Sequence, residues 1–501
     1  MSGGRWASFW RGVGRPVGAV VIGLGLAMLL CAVAGLASAI FSKAGDSPRD
    51  WNQALALLAS AVVSAAAGAG LRWYGRSEEV AALSRREAIF AVAVIWLASG
   101  VFGALPFIFA ADMSPVDALF EAISGFTTTG ATVITDIESR LQKPLLLWRS
   151  GMQWLGGMGI VVLFVAIFPN VGVGAKFMFR GEAPGAISEG LQPRIADTSS
   201  TLWRLYVLFT VLEVALLWIL GMSPFESVCH AFTTMSTGGF STRDASVAAF
   251  DSPAIEMVIS LFMLIAGANF GLYYAAIRGR TYRVFLRSAE FRLYLILIVS
   301  TTLVLTASIM TVHGHSVLQS FRYAIFQVAT FITSTGYGTD DYMMYPAPAL
   351  TIILLIMFIG GSSGSTAGGI KVERIVLLAK IGLAQIRATF RPNLIQVIRM
   401  DGKRVPSGVL SDVAVFFAVF MACLAGFVLA VAYIENIPAP AAFGATLSCL
   451  SNMGPAPYHV GPDNFAGYSS VSKLIFSLAM VLGRLEFFTV FALFIPDFWK
   501  R

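Results

Sequence analysis

Charge is what this sequence has least of. Only 13% of its 501 residues are Asp, Glu, Lys or Arg, about half the share found in soluble domains. Against that, 57% are hydrophobic and mean hydropathy is +0.76. A water-soluble globule cannot hide so much apolar surface, so the surplus faces lipid. Cysteine is scarce too: Cys31, Cys229, Cys423 and Cys449 show no CxxC spacing, which excludes a disulfide framework and a cysteine metal site. Four histidines include no HExxH, and the His313/His315 pair reads as a solvated loop. With no Ser/His/Asp or Cys/His constellation in view, a membrane-embedded enzyme is set aside. The net charge of +7 would suit a nucleic-acid partner. Its basic residues, however, lie in short stretches between apolar runs, which is how membrane topology is written, so no nucleic acid is expected.

Apolar runs able to cross about 30 Å of hydrocarbon occur near 17–41, 52–71, 88–110, 145–168, 202–221, 253–277, 291–311, 348–360 with its continuation, 410–434 and 471–496. Arg5, Arg11 and Arg15 before the first run, and Ala37-Ser38-Ala39 at its end, imitate a signal peptide. A stretch from Val17 to Phe41 exceeds a signal h-region and suits a retained helix. Placing the N-terminus inside puts 26 of the 35 Lys and Arg residues in inner segments. The positive-inside rule therefore predicts both termini in the cytoplasm.

Four shorter segments, too polar to cross, follow alternate spans. They end in Phe126–Ala131 (FTTTGA), Met235–Phe240 (MSTGGF), Thr333–Gly338 (TSTGYG) and Ser451–Ala456 (SNMGPA). The glycines align as Gly130, Gly238, Gly336 and Gly454, spaced by 108, 98 and 118 residues. A period near 100 predicts a span–dip–span unit present four times. The expected organisation is an all-α integral membrane protein: two extra helices over 1–80, then repeats over 81–175, 176–285, 286–400 and 401–501, arranged pseudo-four-fold around a pore.

Such segments suit a cation filter. A dehydrated potassium ion needs several oxygen ligands, which backbone carbonyls supply. Aiming consecutive carbonyls at an axis requires dihedrals that glycine reaches cheaply. Irregular backbone is tolerated at membrane depth where it lines a cavity, and the C-terminal end of each dipping helix favours a cation. The candidate K+ ligands are Thr128, Thr129, Gly130, Ser236, Thr237, Gly238, Ser334, Thr335, Gly336, Asn452, Met453 and Gly454. Glu121 and Glu226 are read as structural carboxylates at the starts of the first two dipping helices. Glu213 in a span is read as structural, and Gln153 and Asn269 as interhelical hydrogen-bonders.

These motifs resemble the Trk/Ktr/HKT superfamily of potassium transporters, and within it the TrkH-like membrane subunits of bacterial Trk uptake systems. Further stretches carry the likeness: Ser124–Val133, Gln153–Ile160, Glu182–Gly185 with Pro193–Thr198, Ala266–Gly271 and Phe358–Lys371. The fourth filter departs most, with Asn452-Met453 where the others have Ser or Thr pairs, which excludes symmetric side-chain ligation. In related plant transporters a serine at the first filter glycine goes with sodium preference. Glycine at all four positions here implies potassium.

The eighth span is broken by Gly360–Gly369 (GGSSGSTAGG), a poor helix at about 1 kcal/mol per interior glycine. It fails the GxxxxGK[ST] phosphate-loop pattern. A small-residue packing kink is one reading. The resemblance implies another: a gating loop beneath the filter, involving Gly360, Gly361, Ser362, Ser363, Gly364, Gly368, Gly369 and Lys371. Arg484 in the last span is expensive in lipid; it is either a local partner of Glu486 or, as the resemblance implies, a pore-facing arginine at the gate. The resemblance also implies residence in the bacterial inner membrane, a homodimer in lipid, and a cytoplasmic nucleotide-binding (TrkA-like) regulatory subunit, through which alone a nucleotide would act. An ion-coupled solute symporter is the alternative class; it predicts inverted halves, whereas these repeats share one orientation by charge count.

Overall fold

The computed structural model describes residues 3–41, 48–75, 84–159, 195–314, 316–393, 396–458 and 464–500. The Glu182–Gly185 motif, Pro193, Arg194, His315, His459 and the later part of the expected 145–168 span lie outside these residues.

Two long apolar helices, α1 (Gly3–Phe41) and α2 (Pro48–Tyr74), form an antiparallel hairpin. Small residues let their backbones touch: a Cβ on Gly18 would stand 2.5 Å from the Gly68 carbonyl oxygen, and one on Gly68 2.6 Å from that of Gly18. Without a hydrophobic drive between helices in lipid, such close approach is what holds them. Gln53 then ties the hairpin to the rest, donating to the Arg140 carbonyl at 2.9 Å and accepting from the Gln142 amide at 2.8 Å.

The remainder is one unit written four times. In the first, α3 (Arg85–Ala110) leads to the short helix α4 (Pro115–Phe126) and then α5 (Lys143–Gly157). The second comprises α6 (Ile195–Ile219), the short α7 (Pro224–Met235), α8 (Pro253–Ala266) and α9 (Phe270–Gly279). The third has α10 (Ala289–His313), the short α11 (Val317–Ile332), α12 (Ala347–Phe358) and α13 (Val372–Phe390); the fourth has α14 (Ser407–Glu435), the short α15 (Ala439–Leu450), α16 (Ser470–Leu485) and α17 (Phe487–Phe491). His313 therefore ends a helix rather than lying in a loop.

Three of the short helices start on a serine cap. Ser114, Ser223 and Ser316 are N-caps whose hydroxyls accept from the amides of Asp117, Glu226 and Gln319. Pro115 and Pro224 occupy the first turn, where no amide donor is needed.

Among the described residues, six unbroken helices (α1, α2, α3, α6, α10 and α14) are long and apolar enough to cross a membrane; two bent pairs add two more. The sequence reads 253–277 and 471–496 as unbroken spans, and both are bent. α8 and α9 meet at 86° across Gly267–Asn269, and α16 and α17 at 112° across Glu486, whose φ is +60°. Asn269 is thus not an interhelical glue: its side chain caps α9 through the Gly271 amide at 2.8 Å.

Candidate functional site

All four short helices stop in the same way. The residue after the C-cap is left-handed in each: Thr128, Thr237, Ser334 and Asn452, with φ of 54°, 54°, 54° and 52°. The next amide reaches back five residues. Thr129 donates to the Ser124 carbonyl at 2.9 Å, Gly238 to Thr233 at 2.8 Å, Thr335 to Thr330 at 2.9 Å and Met453 to Ser448 at 2.9 Å. With the inner bond from the left-handed residue itself, this is a Schellman stop, made here with Thr, Ser and Asn where glycine is the cheap choice. The strain sits at the tip of every dip.

The residue that follows is Gly130, Gly239, Gly336 or Gly454, at φ of 80°, 74°, 84° and 100°. The backbone therefore corrects the sequence alignment by one residue: Gly239, not Gly238, is the second repeat's counterpart. Gly238 takes the place of Thr129, and Ser236 sits one step earlier as the helix C-cap. The Gly238-Gly239 doublet left this register open in the sequence, and Thr237-Gly238 imitated Thr129-Gly130.

These glycines also show that the loops close on one another. A Cβ on Gly130 would stand 2.1 Å from the Gly238 carbonyl oxygen; on Gly239, 1.9 Å from that of Thr335; on Gly336, 2.1 Å from that of Met453; on Gly454, 2.7 Å from that of Thr129. First repeat meets second, second third, third fourth, and fourth first. Four carbonyls thus form a closed ring, each against the neighbour's glycine. Polar ties brace it from behind. Gln153 donates to the Gly238 carbonyl at 2.6 Å and accepts from the Phe240 amide at 3.0 Å, so it braces the ring directly. Tyr337 donates to the His230 carbonyl at 3.2 Å, and the Asn452 amide donates to Thr129 Oγ1 at 3.0 Å and to the Met480 carbonyl at 2.9 Å. The divergent fourth filter uses its asparagine to join the first.

Charges are kept behind the ring. Glu121 lies in the middle of α4, not at its start; Asp117 holds the first turn. Glu121 pairs with Arg149 at 2.7 Å, both fully buried, and accepts from the Thr132 hydroxyl and the Val133 amide. Arg149 also donates to the Ser241 carbonyl at 2.9 Å and lies 3.5 Å over the Phe240 ring. Glu226 does open α7 and pairs with Arg243 at 2.7 Å. Glu213 is buried near Thr234 of α7.

Below the ring lies the glycine-rich segment between α12 and α13. Its neck is stapled: the Gly360 amide donates to the Ile370 carbonyl at 2.9 Å, and the Ile370 amide to Phe358 at 3.0 Å. Thr366 Oγ1 donates to the carbonyl of Met235, the last residue of α7, at 3.0 Å. The Gly368 amide donates to Ser334 Oγ in the third filter at 2.6 Å, and a Cβ on Gly368 would stand 2.3 Å from the Ser451 carbonyl oxygen. The loop thus sits against the ends of three dipping helices. Arg484 joins it to the first repeat, donating to the Thr366 carbonyl at 2.9 Å and to those of Gly156 and Gly157 at 2.6 and 2.9 Å. Glu486 pairs with Arg374 at 2.6 Å. Buried Lys371 donates to the Ala367 carbonyl. A cavity of about 90 Å³ opens beneath, lined by Lys371, Arg374, Arg484 and Glu486.

The sequence model of the TrkH family, described as a cation transport protein, matches residues 55–501. This chain belongs to the TrkH family. Its TrkH relatives include the Trk system potassium uptake protein TrkH of Salmonella typhimurium, 39% identical over 444 residues, covering 88% of this chain and 91% of that one. The protein of the same name from Halomonas elongata is 37% identical over 426 residues, covering 84% and 87%. The crystal structure of the potassium transporter TrkH from Vibrio parahaemolyticus superposes with a TM-score of 0.85 at 32% identity, over 98% of this chain and 99% of that one. Membership makes the chain an all-α, multi-pass membrane transporter and not an enzyme.

Proposed function

We propose that this chain takes up potassium across the bacterial inner membrane, as the translocating subunit of a Trk-type system. The closed ring of filter carbonyls is the observation that carries the reading. Four helix C-terminal ends converge on it, a favourable field for a cation, and its irregular backbone is shielded from lipid by the repeats around it. The ligands would be backbone and hydroxyl oxygens of Thr128, Thr129, Gly130, Thr237, Gly238, Gly239, Ser334, Thr335, Gly336, Asn452, Met453 and Gly454. The Asn452 side chain is not among these ligands: it turns back to Thr129, Met480 and Gly483, so the fourth filter contributes through its backbone. The loop 360–369, with Lys371 and Arg484, would be the gate, and its bonds to the filter segments support that reading.

Around this core we place two chains in the membrane as a homodimer, both termini in the cytoplasm, and the four repeats within the sequence boundaries given above. A cytoplasmic nucleotide-binding subunit of TrkA type would supply regulation, since no inner segment of the chain is long enough to build a sensing domain. Expression in a bacterium lacking its own potassium uptake tests the core reading. Growth at low potassium and uptake of labelled rubidium, little inhibited by excess sodium, are expected. Rubidium uptake no greater than that of the host alone would overturn it. A solute symporter would instead show uptake of an organic solute driven by the ion gradient.

A further inference from the structure

Most bonds that hold the loop come from neutral groups within the pore, but one comes from a carboxylate outside it. Glu290, in the first turn of α10, accepts a hydrogen bond from the Ser363 amide at 2.5 Å, and both residues are buried. Acids are common in a helix's first turn, where they need only water around them. Glu290 is different, since it is 95% buried and aims at a loop amide 73 residues away. It also takes a hydrogen bond from the backbone of Glu373 at the start of α13, so it links the loop to the helix that leaves it.

The residue before it has a second tie. The Ala289 amide donates to Asp401 Oδ1 at 2.7 Å. Asp401 and Gly402, both left-handed at φ 48° and 80°, are the two-residue turn of a hairpin between β1 (Arg399–Met400) and β2 (Lys403–Arg404). That hairpin rests on the helix leading out of the gate: Met400 is buried against Leu377 of α13 and Val413 of α14, and Lys380 of α13 donates to the Arg399 carbonyl at 2.6 Å. A continuous line therefore runs from an exposed hairpin, through Asp401 and Ala289, to Glu290 and the loop.

We propose that Glu290 is a positioning residue of the gate, latching the loop shut through the Ser363 amide, with the hairpin tip at Asp401 as the handle that releases it. This rests on the reading of 360–369 as a gate. Displacing the hairpin draws the α10 end away and lengthens the Glu290–Ser363 bond, so that the loop loses this carboxylate-assisted tether.

The test measures basal rubidium flux and the potassium-to-sodium ratio of the full chain alone in liposomes. Glu290→Gln keeps the shape and loses the charge. It should raise basal flux about tenfold, the factor corresponding to about 1.4 kcal/mol and near the low end for a hydrogen bond to a charged group, with the ion ratio unchanged. Asp401→Asn should raise flux by a smaller factor, and the double variant should not exceed Glu290→Gln. Should Glu290→Gln not be recovered folded, Glu290→Asp, which retracts the carboxylate, decides by the same thresholds. Flux within twofold of the parent, while Arg484→Ala leaks, would overturn the latch and leave the gate. If Arg484→Ala is also silent, the gate reading itself falls. Raised flux with lost ion discrimination would mean filter damage, and additive effects of the two variants would break the link to the hairpin.

Discussion

A methyl group on Gly239 would have to displace the Thr335 carbonyl, backbone that cannot yield without opening the ring. On Gly238 it would meet the side-chain amide of Gln153, which can shift without moving ring backbone but only by giving up its bonds to the Gly238 carbonyl and the Phe240 amide. Gly239→Ala should therefore lower the potassium-to-sodium ratio by about tenfold or more, and Gly238→Ala less, as read from reversal potentials in the same bilayer. The opposite order would restore the alignment read from sequence. Gly130→Ser meets the Gly238 carbonyl at 2.1 Å and should also weaken potassium preference. Behind the ring, Arg149→Met would leave the Glu121 carboxylate buried without its cation, a loss of roughly 3–5 kcal/mol for pairs of this kind. A lower melting temperature in detergent, partly recovered by adding Glu121→Gln, is the expected result. At this scale the motif TTTG/STGG/TSTG/SNMG was legible because a left-handed stop with a glycine two residues later needs particular residues. Gln153 and Glu290 were not legible as filter and loop contacts: a lone polar residue carries no mark of which loop, 85 or 73 residues away, it will reach.

The elements repeat the same division. Two of the four dipping helices open on a Ser-Pro cap, and all four carry a glycine two residues past the left-handed stop, both local signals. The break at 360–369 was visible because glycine accumulates there. The bend after α8 hides in Gly267-Ala268-Asn269, where one glycine is ordinary in a membrane helix, and the bend after α16 falls at Glu486 with no glycine at the turn at all. Tertiary contacts decide these bends: Gly267 gives its carbonyl to the Ser362 amide at 2.8 Å, and Glu486 is drawn to Arg374. The broken second helices together make room for the loop beneath the filters. Arg484→Ala removes three bonds that join loop and first repeat, so unregulated rubidium flux should rise several-fold; deleting Ser362 to Gly368 should raise it further. Folded variants that reach the membrane yet conduct less than the parent would make the loop a structural brace instead of a gate.

For the whole molecule, the exposed extension of α13, which the proposed orientation puts in the cytoplasm, is the part the pore does not explain. Arg387, Arg391, Arg399, Lys403 and Arg404 are all exposed on it and on the hairpin that follows. Positive-inside bias alone would place cations here, but it would not seat them on a hairpin packed against the helix that leaves the gate. A partner that grips this surface can move α13 and the hairpin together, a two-state coupling in which only its differential affinity for the open state does work on the gate. Charge reversal is not needed to test it. Changing the five residues to glutamine should weaken binding of the proposed nucleotide-binding subunit and flatten the salt dependence of that binding, because fewer screened contacts remain. Titration of the purified chain with the subunit at several ionic strengths reads both quantities. Basal flux of the lone chain should stay near that of the parent, since none of the five side chains is assigned a bond to the filter or loop. Unchanged affinity and salt slope would move the docking surface elsewhere on the cytoplasmic face.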